Sequence, residues 1–515
     1  MRQARVLLDR NFAIGRVDPR LFGAFVEHLG RGVYGGIYEP GHPTADSRGF
    51  RRDVLELVKE LGVTIVRYPG GNFVSTYNWE DGVGPADARP KRLSYAWGSI
   101  EPNTFGTNEF IDWCRAAAVE PMLVVNLGTR GPKEAADYVE YCNHPGGTRL
   151  SELRKAHGWD QPHGVKFWVL GNEMDSAWQT GAASADEYGR TAAHAANIMR
   201  WADDSIELAA CGSSGLNRAT FGYWDETVLA RTFDSVEWIA LHTYFNNWKD
   251  DAPAFLASAD LLDSAIKGVV ALADGAAAKR RSSKRIMVSL NEWNVWYRTR
   301  RPFEYRVKSG WPTAPPILEE VYSVKDALAV GGVLISLLNH AGRVKSACLA
   351  QLVNVIAPIT TETGGPAWRQ TIFYPFAQTS RLARGDVLRA LVECETYAAS
   401  YYDPYSAEDA FFSVPHAAYL KLAAVANAAG GLTLFALNRD VQQEMTVSVH
   451  ARGFGRLSLA EAMVLTDSDQ EAANTKAAPF RVKPTRLGGV AVGAETVRLE
   501  LPPASWSVVH LKAGL

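Results

Sequence analysis

The chain has 515 residues, which is too long for one ordinary domain and favours one large domain plus a smaller one. With 47% hydrophobic and 21% charged residues, its composition is that of a compact folded protein and excludes a disordered chain. Its 54 basic and 56 acidic residues give a formal charge of −2, which excludes the basic surface of a protein that binds nucleic acid or an anionic membrane.

The N-terminal segment and the cysteines indicate the compartment. MRQARVLLDRNF lacks the apolar stretch of a signal peptide, and no later run reaches the roughly 20 apolar residues of a membrane span. The five cysteines are scattered and never in CxxC spacing, which argues against a disulfide framework and a structural zinc site. We therefore expect a cytoplasmic protein with free thiols and a neutral partner.

Eight short apolar runs, each ending in a polar or glycine-rich cluster, follow one another along the chain. They are LFGAFVEHLG from Leu21, VTIVRYPGGN from Val63, EPMLVVNLG from Glu120, VKFWVLGNE from Val165, ELAACGSS from Glu207, VEWIALHTY from Val236, RIMVSLNEW from Arg285 and CLAQLVN from Cys348. Stretches with helical spacing lie between them, such as FRRDVLELVKELG and NEFIDWCRAAAV. Eight alternating units predict a (β/α)8 TIM barrel, with a doubly wound open sheet as the alternative.

From about Thr396 the pattern changes to short strands separated by Gly, Pro and Asn, such as LTLFALNRD, MTVSVHARG and SWSVVHLKAGL. This spacing is typical of an antiparallel β-sandwich, here of a jelly-roll-like kind. The opening ARVLLDRNFAIGRVD is also strand-like, and we expect it to pair with the C-terminal sheet. The predicted division is therefore a barrel at residues 16–385 and a sandwich made of residues 1–15 and 386–515.

Two Asn-Glu pairs end apolar runs: Asn172-Glu173 ends the fourth, and Asn291-Glu292 ends the seventh. Barrel enzymes build their sites at the carboxyl ends of strands, and a carboxylate buried there is costly unless it is paired. Hydrolysis of an acetal needs two such groups, because the departing oxygen needs a proton and the developing cationic carbon needs a nucleophile. We therefore predict that Glu173 and Glu292 are catalytic, rather than helix caps, with carboxyls separated by about 5 to 5.5 Å.

Other polar residues end neighbouring strands. His242 and Tyr244 follow the sixth run and face the same side by the period of two, and Glu27 and Arg67 end the first and second runs. A single histidine there is more often part of the core, but the two carboxylates favour a functional position. An arginine at a strand end can hold a carboxylate ionised, as a nucleophile requires.

Several other chemistries lack sequence support. No GxGxxG or GxxxxGK[ST] pattern is present, so the glycines at 70 and 71 do not predict a nucleotide site. HExxH, clustered Cys or His, and Gly-x-Ser-x-Gly elbows are missing too. We expect neither a metal nor a cofactor.

The motifs FVEHLGRGVYGGIYEP, VRYPGGNFVS, EPNTFGTNEF, LGNEMD, HTY, NEWNVWY and QLVNVIAPI together resemble the α-L-arabinofuranosidases of glycoside hydrolase family 51 over essentially the whole chain. The resemblance implies a retaining mechanism through a covalent arabinosyl-enzyme, with Glu173 as acid/base and Glu292 as nucleophile. It also implies exo action on arabinan, arabinoxylan or their oligosaccharides, and a homo-oligomer, commonly a hexamer.

Further positions correspond to residues of the family. By resemblance, the furanose is bound by residues at seven positions: Glu27, Asn72, Asn172, His242, Tyr244, Trp296 and Gln351. Arg67 and Tyr244 would orient the nucleophile. This chain departs from the family pattern at Thr76, at Ser176-Ala177 and at Phe245-Asn246, which puts the leaving-group preference in question. An endo-glucanase or galactofuranosidase on the same scaffold is the alternative, and a non-catalytic carbohydrate-binding protein is a third.

Overall fold

A closed barrel of eight parallel strands forms the larger part of the protein in the computed structural model, which describes residues 1–297, 309–403 and 411–514. The strands follow one another around the ring in chain order. They are Gly23–Phe25, Ile65–Tyr68, Glu120–Val125, Phe167–Leu170, Glu207–Cys211, Trp238–Phe245, Met287–Val295 and Val344–Ala350. Each of the eight predicted runs contributes one strand, so the barrel is confirmed and the open sheet is wrong.

Both faces of the barrel strands are buried, which explains why the predicted runs were almost continuously apolar. In the fourth strand, Phe167 and Val169 pack inside the ring. Trp168 and Leu170 alternate with them and pack against the surrounding helices. Side chains that continue this alternation beyond the strand end are therefore directed either into the mouth of the barrel or towards the helices.

Helices cover the outside of the ring. The α-helices are Arg52–Leu61, Thr107–Ala117, Pro132–Asn143, Arg149–Ala156, Ala185–Ala202, Tyr223–Thr232, Ala252–Ala257, Ala259–Lys279, Val324–Asn339 and Phe373–Leu382. Short 3-10 turns span Pro19–Phe22, Asn72–Thr76 and Trp79–Gly82. Helix Arg52–Leu61 is amphipathic, since Val54, Val58 and Leu61 share its buried face. No helix among the described residues is long and apolar enough to cross a membrane.

Two antiparallel sheets form the smaller, C-terminal part. One contains, in spatial order, Ala13–Arg16, Asp386–Leu388, Leu420–Ala426, Leu432–Asn438, Ser505–Ala513, Leu457–Leu465 and Thr485–Arg486. The other contains Leu391–Cys394, Arg2–Asp9, Met445–Arg452, Thr496–Leu501 and Ala491–Val492. Within this second sheet, Arg2–Asp9 runs parallel to Met445–Arg452. Alternate residues such as Val6, Leu8 and Leu499 are buried between the sheets.

The predicted division at residues 15/16 and 385/386 stays a prediction, and the strand pairings favour it. Ala13–Arg16 pairs with Asp386–Leu388, so both proposed boundaries lie at strands of the sandwich. Helix Val324–Asn339 packs against the sandwich, where a side chain at Gly331 would come within 2.5 Å of the Trp506 ring.

Three small hairpins complete the fold: Arg92–Ser94 with Ser99–Glu101, Ile359–Thr361 with Ala367–Arg369, and Thr396–Tyr402 with Phe411–Ala418. The third hairpin belongs to neither sandwich sheet within the described residues. It lies against helix Ala252–Ala257, and Tyr397 donates a hydrogen bond to the Pro253 carbonyl. A segment next to the sandwich thereby reaches the mouth of the barrel.

Candidate active site

Glu173 and Glu292 lie together at the carboxyl end of the barrel. Glu173 follows the fourth strand, and Glu292 lies in the seventh. Both are buried, with 9% and 6% of their surface exposed. A carboxyl oxygen of each lies within 4.8 Å of the other, which supports the close approach predicted from the sequence. Glu173 has a φ of +45°, a left-handed conformation that is strained for a residue with a side chain and that occurs disproportionately at functional sites.

His242 connects the two carboxyls. Its Nδ1 lies 2.9 Å from Oε1 of Glu173 and 3.5 Å from Oε2 of Glu292, and its Nε2 donates to Oδ1 of Asn291 at 2.8 Å. Burial alone would lower the pKa of His242, but the charge of Glu292 and the hydrogen bond with Glu173 raise it above its usual value. Asn291, for which the sequence suggested no role, thus holds the imidazole in place.

Glu292 is surrounded by groups that favour its ionised form. Arg67 Nη1 donates to its Oε1 at 2.5 Å, and the Tyr244 hydroxyl donates to its Oε2 at 2.7 Å. Burial would raise the pKa of Glu292, but the charges of His242 and Arg67 and the Tyr244 hydrogen bond lower it below its usual value. A buried carboxylate held ionised in this way is suited to nucleophilic attack.

Arg67 also bonds Asn172 and so joins the second strand to the residue before Glu173. Its Nη2 donates to Oδ1 of Asn172 at 2.6 Å, and its guanidinium carbon lies 4.4 Å from the centre of the Phe25 ring. Asn172 Nδ2 donates to Oε1 of Gln179 at 3.3 Å. Because Asn172 is almost fully buried, these bonds fix the direction of its amide.

Glu27 forms a second polar cluster at the same end of the barrel. Its Oε1 accepts from the Phe73 amide at 2.9 Å and from Trp97 Nε1 at 3.1 Å, and its Oε2 accepts from Gln351 Nε2 at 3.0 Å. Burial, and to a smaller degree the charge of Glu292, raise the pKa of Glu27 to about 7 despite these donors. Glu27 can therefore exist as a neutral acid near neutral pH.

The glycine at position 71 lies between the two clusters. A Cβ there would approach Oε1 of Glu292 to 3.1 Å, Nδ2 of Asn172 to 3.5 Å and Oε2 of Glu27 to 3.5 Å. A side chain at position 71 would therefore touch three polar groups and would crowd the Glu292 carboxyl most. The glycine-rich turn therefore lets the backbone pass close to these side chains, which agrees with the lack of a nucleotide-binding motif in the sequence.

These groups border a cavity of about 360 Å³. The predicted site residues that line it are Glu27, Asn72, Glu173, Tyr244, Glu292, Trp296 and Gln351. Three further predicted residues do not line the cavity but contact the residues that do: Arg67, Asn172 and His242. The Tyr244 and Trp296 rings meet edge to face with centres 5.0 Å apart. All ten predicted positions are thus brought together.

Sequence reasoning missed two tryptophans. Trp97 bonds Glu27, and Trp178 Nε1 donates to Oε2 of Glu173 at 2.7 Å. Trp97 lies in a loop that follows a barrel strand, at 76–106, and such loops carry the substrate-facing residues of a barrel. A further loop of this kind, at 296–318, lies partly outside the described residues, at 298–308. Tyr401 and Phe412 of the third hairpin also line the cavity, and no local sequence signal identifies them.

Three of the five residues that depart from the family pattern, Phe245, Asn246 and Ser176, lie at the cavity or behind its wall. Phe245 and Asn246 line the cavity, and the Asn246 amide donates to the Tyr401 hydroxyl at 2.9 Å. Ser176 is fully buried, and its hydroxyl lies 2.5 Å from that of Ser214. The departures thus alter the wall of the cavity and its support, and leave the two glutamates in place.

Glu173, His242 and Glu292 also offer one metal-ligand atom each within 4.8 Å. Both oxygens of Glu292 are, however, already bonded to Arg67 and Tyr244. A guanidinium at 2.5 Å repels a second cation, so the arrangement fits proton transfer and nucleophilic attack better than metal binding.

Comparison with known proteins agrees with this geometry. The chain matches the family described as "Alpha-L-arabinofuranosidase 1 domain" over residues 57–263 and the one described as "Alpha-L-arabinofuranosidase C-terminal domain" over residues 291–505. It is 50% identical over 512 residues to an "Intracellular exo-alpha-(1->5)-L-arabinofuranosidase" of Streptomyces lividans, covering 99% of this chain and 75% of that protein.

Two proteins of Bifidobacterium longum are also similar. An "Exo-alpha-(1->6)-L-arabinofuranosidase" is 47% identical over 522 residues, covering 99% of this chain and 98% of that protein. The solved structure of a family 51 α-L-arabinofuranosidase superposes with a TM-score of 0.91 at 42% identity and covers 99% of each chain.

Proposed function

The chain belongs to the α-L-arabinofuranosidases of glycoside hydrolase family 51, and from this premise we propose that it is a retaining, exo-acting enzyme that releases terminal α-L-arabinofuranosyl residues. The observation that carries the proposal is the pair of buried carboxyls, Glu292 held ionised by Arg67 and Tyr244, and Glu173 beside it. One group supplies the nucleophile and the other the proton.

In the first step, the Glu292 carboxylate attacks the anomeric carbon while the bond to the leaving oxygen breaks, and Glu173 gives its proton to that oxygen. In the second step, Glu173 takes a proton from water as the water oxygen attacks the same carbon. The bond to Glu292 then breaks, and arabinose leaves with its anomeric configuration retained. Two inversions at one carbon require a single cavity with both carboxyls, which this site provides.

Exo action is supported by the names of the relatives, and the polar residues at one side of the cavity suit a terminal sugar. Glu27 and Gln351 hydrogen-bond each other in both directions, because the Gln351 amide donates to Oε2 of Glu27 and its Oε1 accepts from the Glu27 backbone. Together with Trp97 they bound the cavity on one side, and their polar atoms are suited to furanose hydroxyls. We propose that Asn72, Asn172 and Trp296 complete this sugar site, with Asn172 serving the 2-hydroxyl.

For the substrate, we propose (1→5)-linked arabinan fragments, with arabinoxylan fragments as the alternative. The Streptomyces lividans relative is named for (1→5) linkages and the Bifidobacterium longum relative for (1→6) linkages. The linkage that this chain prefers is therefore a separate question from its arabinofuranosidase activity. The name of the first relative also supports a place inside the cell, where short oligosaccharides are the accessible substrates. Family resemblance favours a homo-oligomer, and light scattering after size exclusion measures its mass.

The test is hydrolysis of p-nitrophenyl α-L-arabinofuranoside, followed by NMR of the first-formed sugar. We expect the α-anomer of arabinose from wild-type protein and no turnover by Glu292→Gln. The exposed Glu393→Gln is the matched control and should keep full activity. Cleavage of a cellulosic or galactofuranosyl substrate in place of the arabinofuranoside would refute the arabinose assignment, and a first-formed β-anomer would refute retention.

A further inference from the structure

Beyond the sugar site, one wall of the cavity comes from the loop at residues 213–221, which follows the fifth barrel strand. Five consecutive residues of this loop line the cavity, from Ser214 to Arg218. The Arg218 guanidinium lies over the ring of Trp178, 4.6 Å from its centre. Trp178 is 43% exposed although it donates its Nε1 hydrogen to Glu173. An exposed tryptophan covered by an arginine thus stands directly beside the proton donor.

The loop is fixed to the segment that follows Glu173. Asp175 Oδ2 accepts from the Ser214 amide at 3.2 Å and from the Thr220 hydroxyl at 3.0 Å. Ser176 adds the hydroxyl contact with Ser214. These bonds join both ends of the loop to residues two and three positions after Glu173, so the loop is tied to the segment that carries the proton donor.

The third hairpin braces the loop from the other side. Asn217 Nδ2 donates to Oδ2 of Asp403 at 2.5 Å, and Asp403 itself lines the cavity. Tyr401 accepts from the Asn246 amide and packs edge to face on Phe245, with ring centres 5.8 Å apart. Arg218 therefore stands on a loop held at three points, which is the preorganisation that a binding group needs.

Among the residues that the structure describes, Arg218 has no ion pair that would explain its position. Within residues 1–297, 309–403 and 411–514, no carboxylate lies within 4.0 Å of the guanidinium nitrogens of Arg218. Within the same residues, the backbone of Arg218 makes hydrogen bonds in the loop and its side chain makes none. A guanidinium carries five N–H donors in a fixed plane. On a cavity wall, those donors are available to a ligand.

The position of that ligand follows from the proposed mechanism, on which this inference rests. The leaving oxygen must lie within about 3 Å of the Glu173 carboxyl to receive its proton. Trp178 Nε1 lies 2.7 Å from that same carboxyl, so the first sugar of the leaving group comes into contact with the Trp178 and Arg218 pair. We propose that Arg218 is a specificity residue of the leaving-group site and donates hydrogen bonds to hydroxyl oxygens of that sugar.

The experiment compares kcat/KM for Arg218→Ala and wild-type protein on two substrates that differ only in the leaving group. On (1→5)-linked arabinobiose, whose leaving group is a sugar, we expect a fall of about tenfold, as for loss of a hydrogen bond from a charged donor. On methyl α-L-arabinofuranoside, which has no leaving sugar but still needs the proton of Glu173, the fall should be several times smaller. Arg218→Lys, which keeps the charge, should fall between wild type and Arg218→Ala on arabinobiose.

The matched control is Arg10→Ala, which removes another arginine placed over an aromatic ring, Phe454 in the sandwich, and should change neither value. Equal falls on both substrates would overturn the proposal, because Arg218 would then act only by positioning Glu173. No fall on arabinobiose would overturn it as well. Failure of wild-type protein on p-nitrophenyl α-L-arabinofuranoside is a separate result that concerns the proposed function.

Discussion

The Nδ1 atom of His242 lies 2.9 Å from Oε1 of Glu173. Because the other ring nitrogen donates to Oδ1 of Asn291, Nδ1 either donates to an ionised Glu173 as part of an imidazolium or accepts the proton of a neutral Glu173. The raised pKa of His242 favours the imidazolium. An imidazolium 3.5 Å from Glu292 favours the ionised form of that carboxyl, which is the state of the nucleophile that the first step requires.

Replacement of His242 by glutamine tests this charge. The charge of His242 helps to lower the pKa of Glu292, so its loss should raise that pKa and move the acidic limb of the kcat/KM profile to higher pH. We expect kcat/KM at the optimum to fall by about tenfold or more. The measurement is the pH profile on p-nitrophenyl α-L-arabinofuranoside, with His450→Gln in the sandwich as control. An unmoved acidic limb would show that the imidazole does not tune Glu292.

Glu292→Ala removes the proposed nucleophile. Activity should fall by at least about a thousandfold, because the covalent intermediate cannot form. Azide admitted to the vacated space should restore part of the turnover by a single displacement. In this step a C–N bond forms as the bond to the leaving group breaks, so the product is the inverted β-arabinofuranosyl azide. NMR identifies the anomer, and an α-azide from this variant would reverse the assignment.

Glu173→Ala removes the proposed acid/base and leaves the nucleophile. On arabinobiose, whose leaving group is poor, we expect a loss of about 10² to 10⁴-fold. The loss in the first step should be far smaller with a dinitrophenyl leaving group, which departs without a proton. Azide should here capture the covalent intermediate and give the retained α-azide. Equal losses across leaving groups, measured as kcat/KM, would contradict the role of Glu173.

The barrel and the two glutamates were predictable because their signals are local. A buried strand has a continuous apolar run, and Glu173 and Glu292 follow or end such runs, so topology alone brings them to one end of the ring. Arg67 and His242 were found by the same reasoning. Their roles stay predictions, but the structure gives each one a direct contact with a glutamate.

The wall of the leaving-group side was not predictable, since it depends on how separate parts of the chain pack. Tyr401 and Asp403 lie in the chain between the sandwich strands Leu391–Cys394 and Leu420–Ala426, and they reach the cavity from a hairpin that lies on a barrel helix. Asn217 and Asp403 are 186 positions apart and belong to loops without a regular pattern. Contacts of this kind leave no periodicity in the sequence, and neither does the bond from Trp97 to Glu27.

Glu27→Gln tests the buried acid that lines the cavity. Folding raises the pKa of Glu27 from 4.5 to about 7, so the folded state binds this proton more tightly than the unfolded state. The stability from this group is therefore fully present below pH 4.5 and is lost as pH rises to about 7. This rise in the pKa of Glu27 corresponds to about 3 kcal/mol of stability.

Glutamine keeps the size of glutamate and one acceptor oxygen, but it does not titrate. The variant should therefore not lose stability through this position as the pH rises. Chemical denaturation of both proteins at pH 4 and pH 8 measures this pH dependence. Between pH 4 and pH 8, the free energy of unfolding of the wild type should fall by about 3 kcal/mol more than that of Glu27→Gln. The exposed Glu393→Gln controls for titration at the surface and should follow the wild type. Parallel profiles for wild type and Glu27→Gln would mean that Glu27 stays ionised, because its three donors from Phe73, Trp97 and Gln351 would then outweigh its burial.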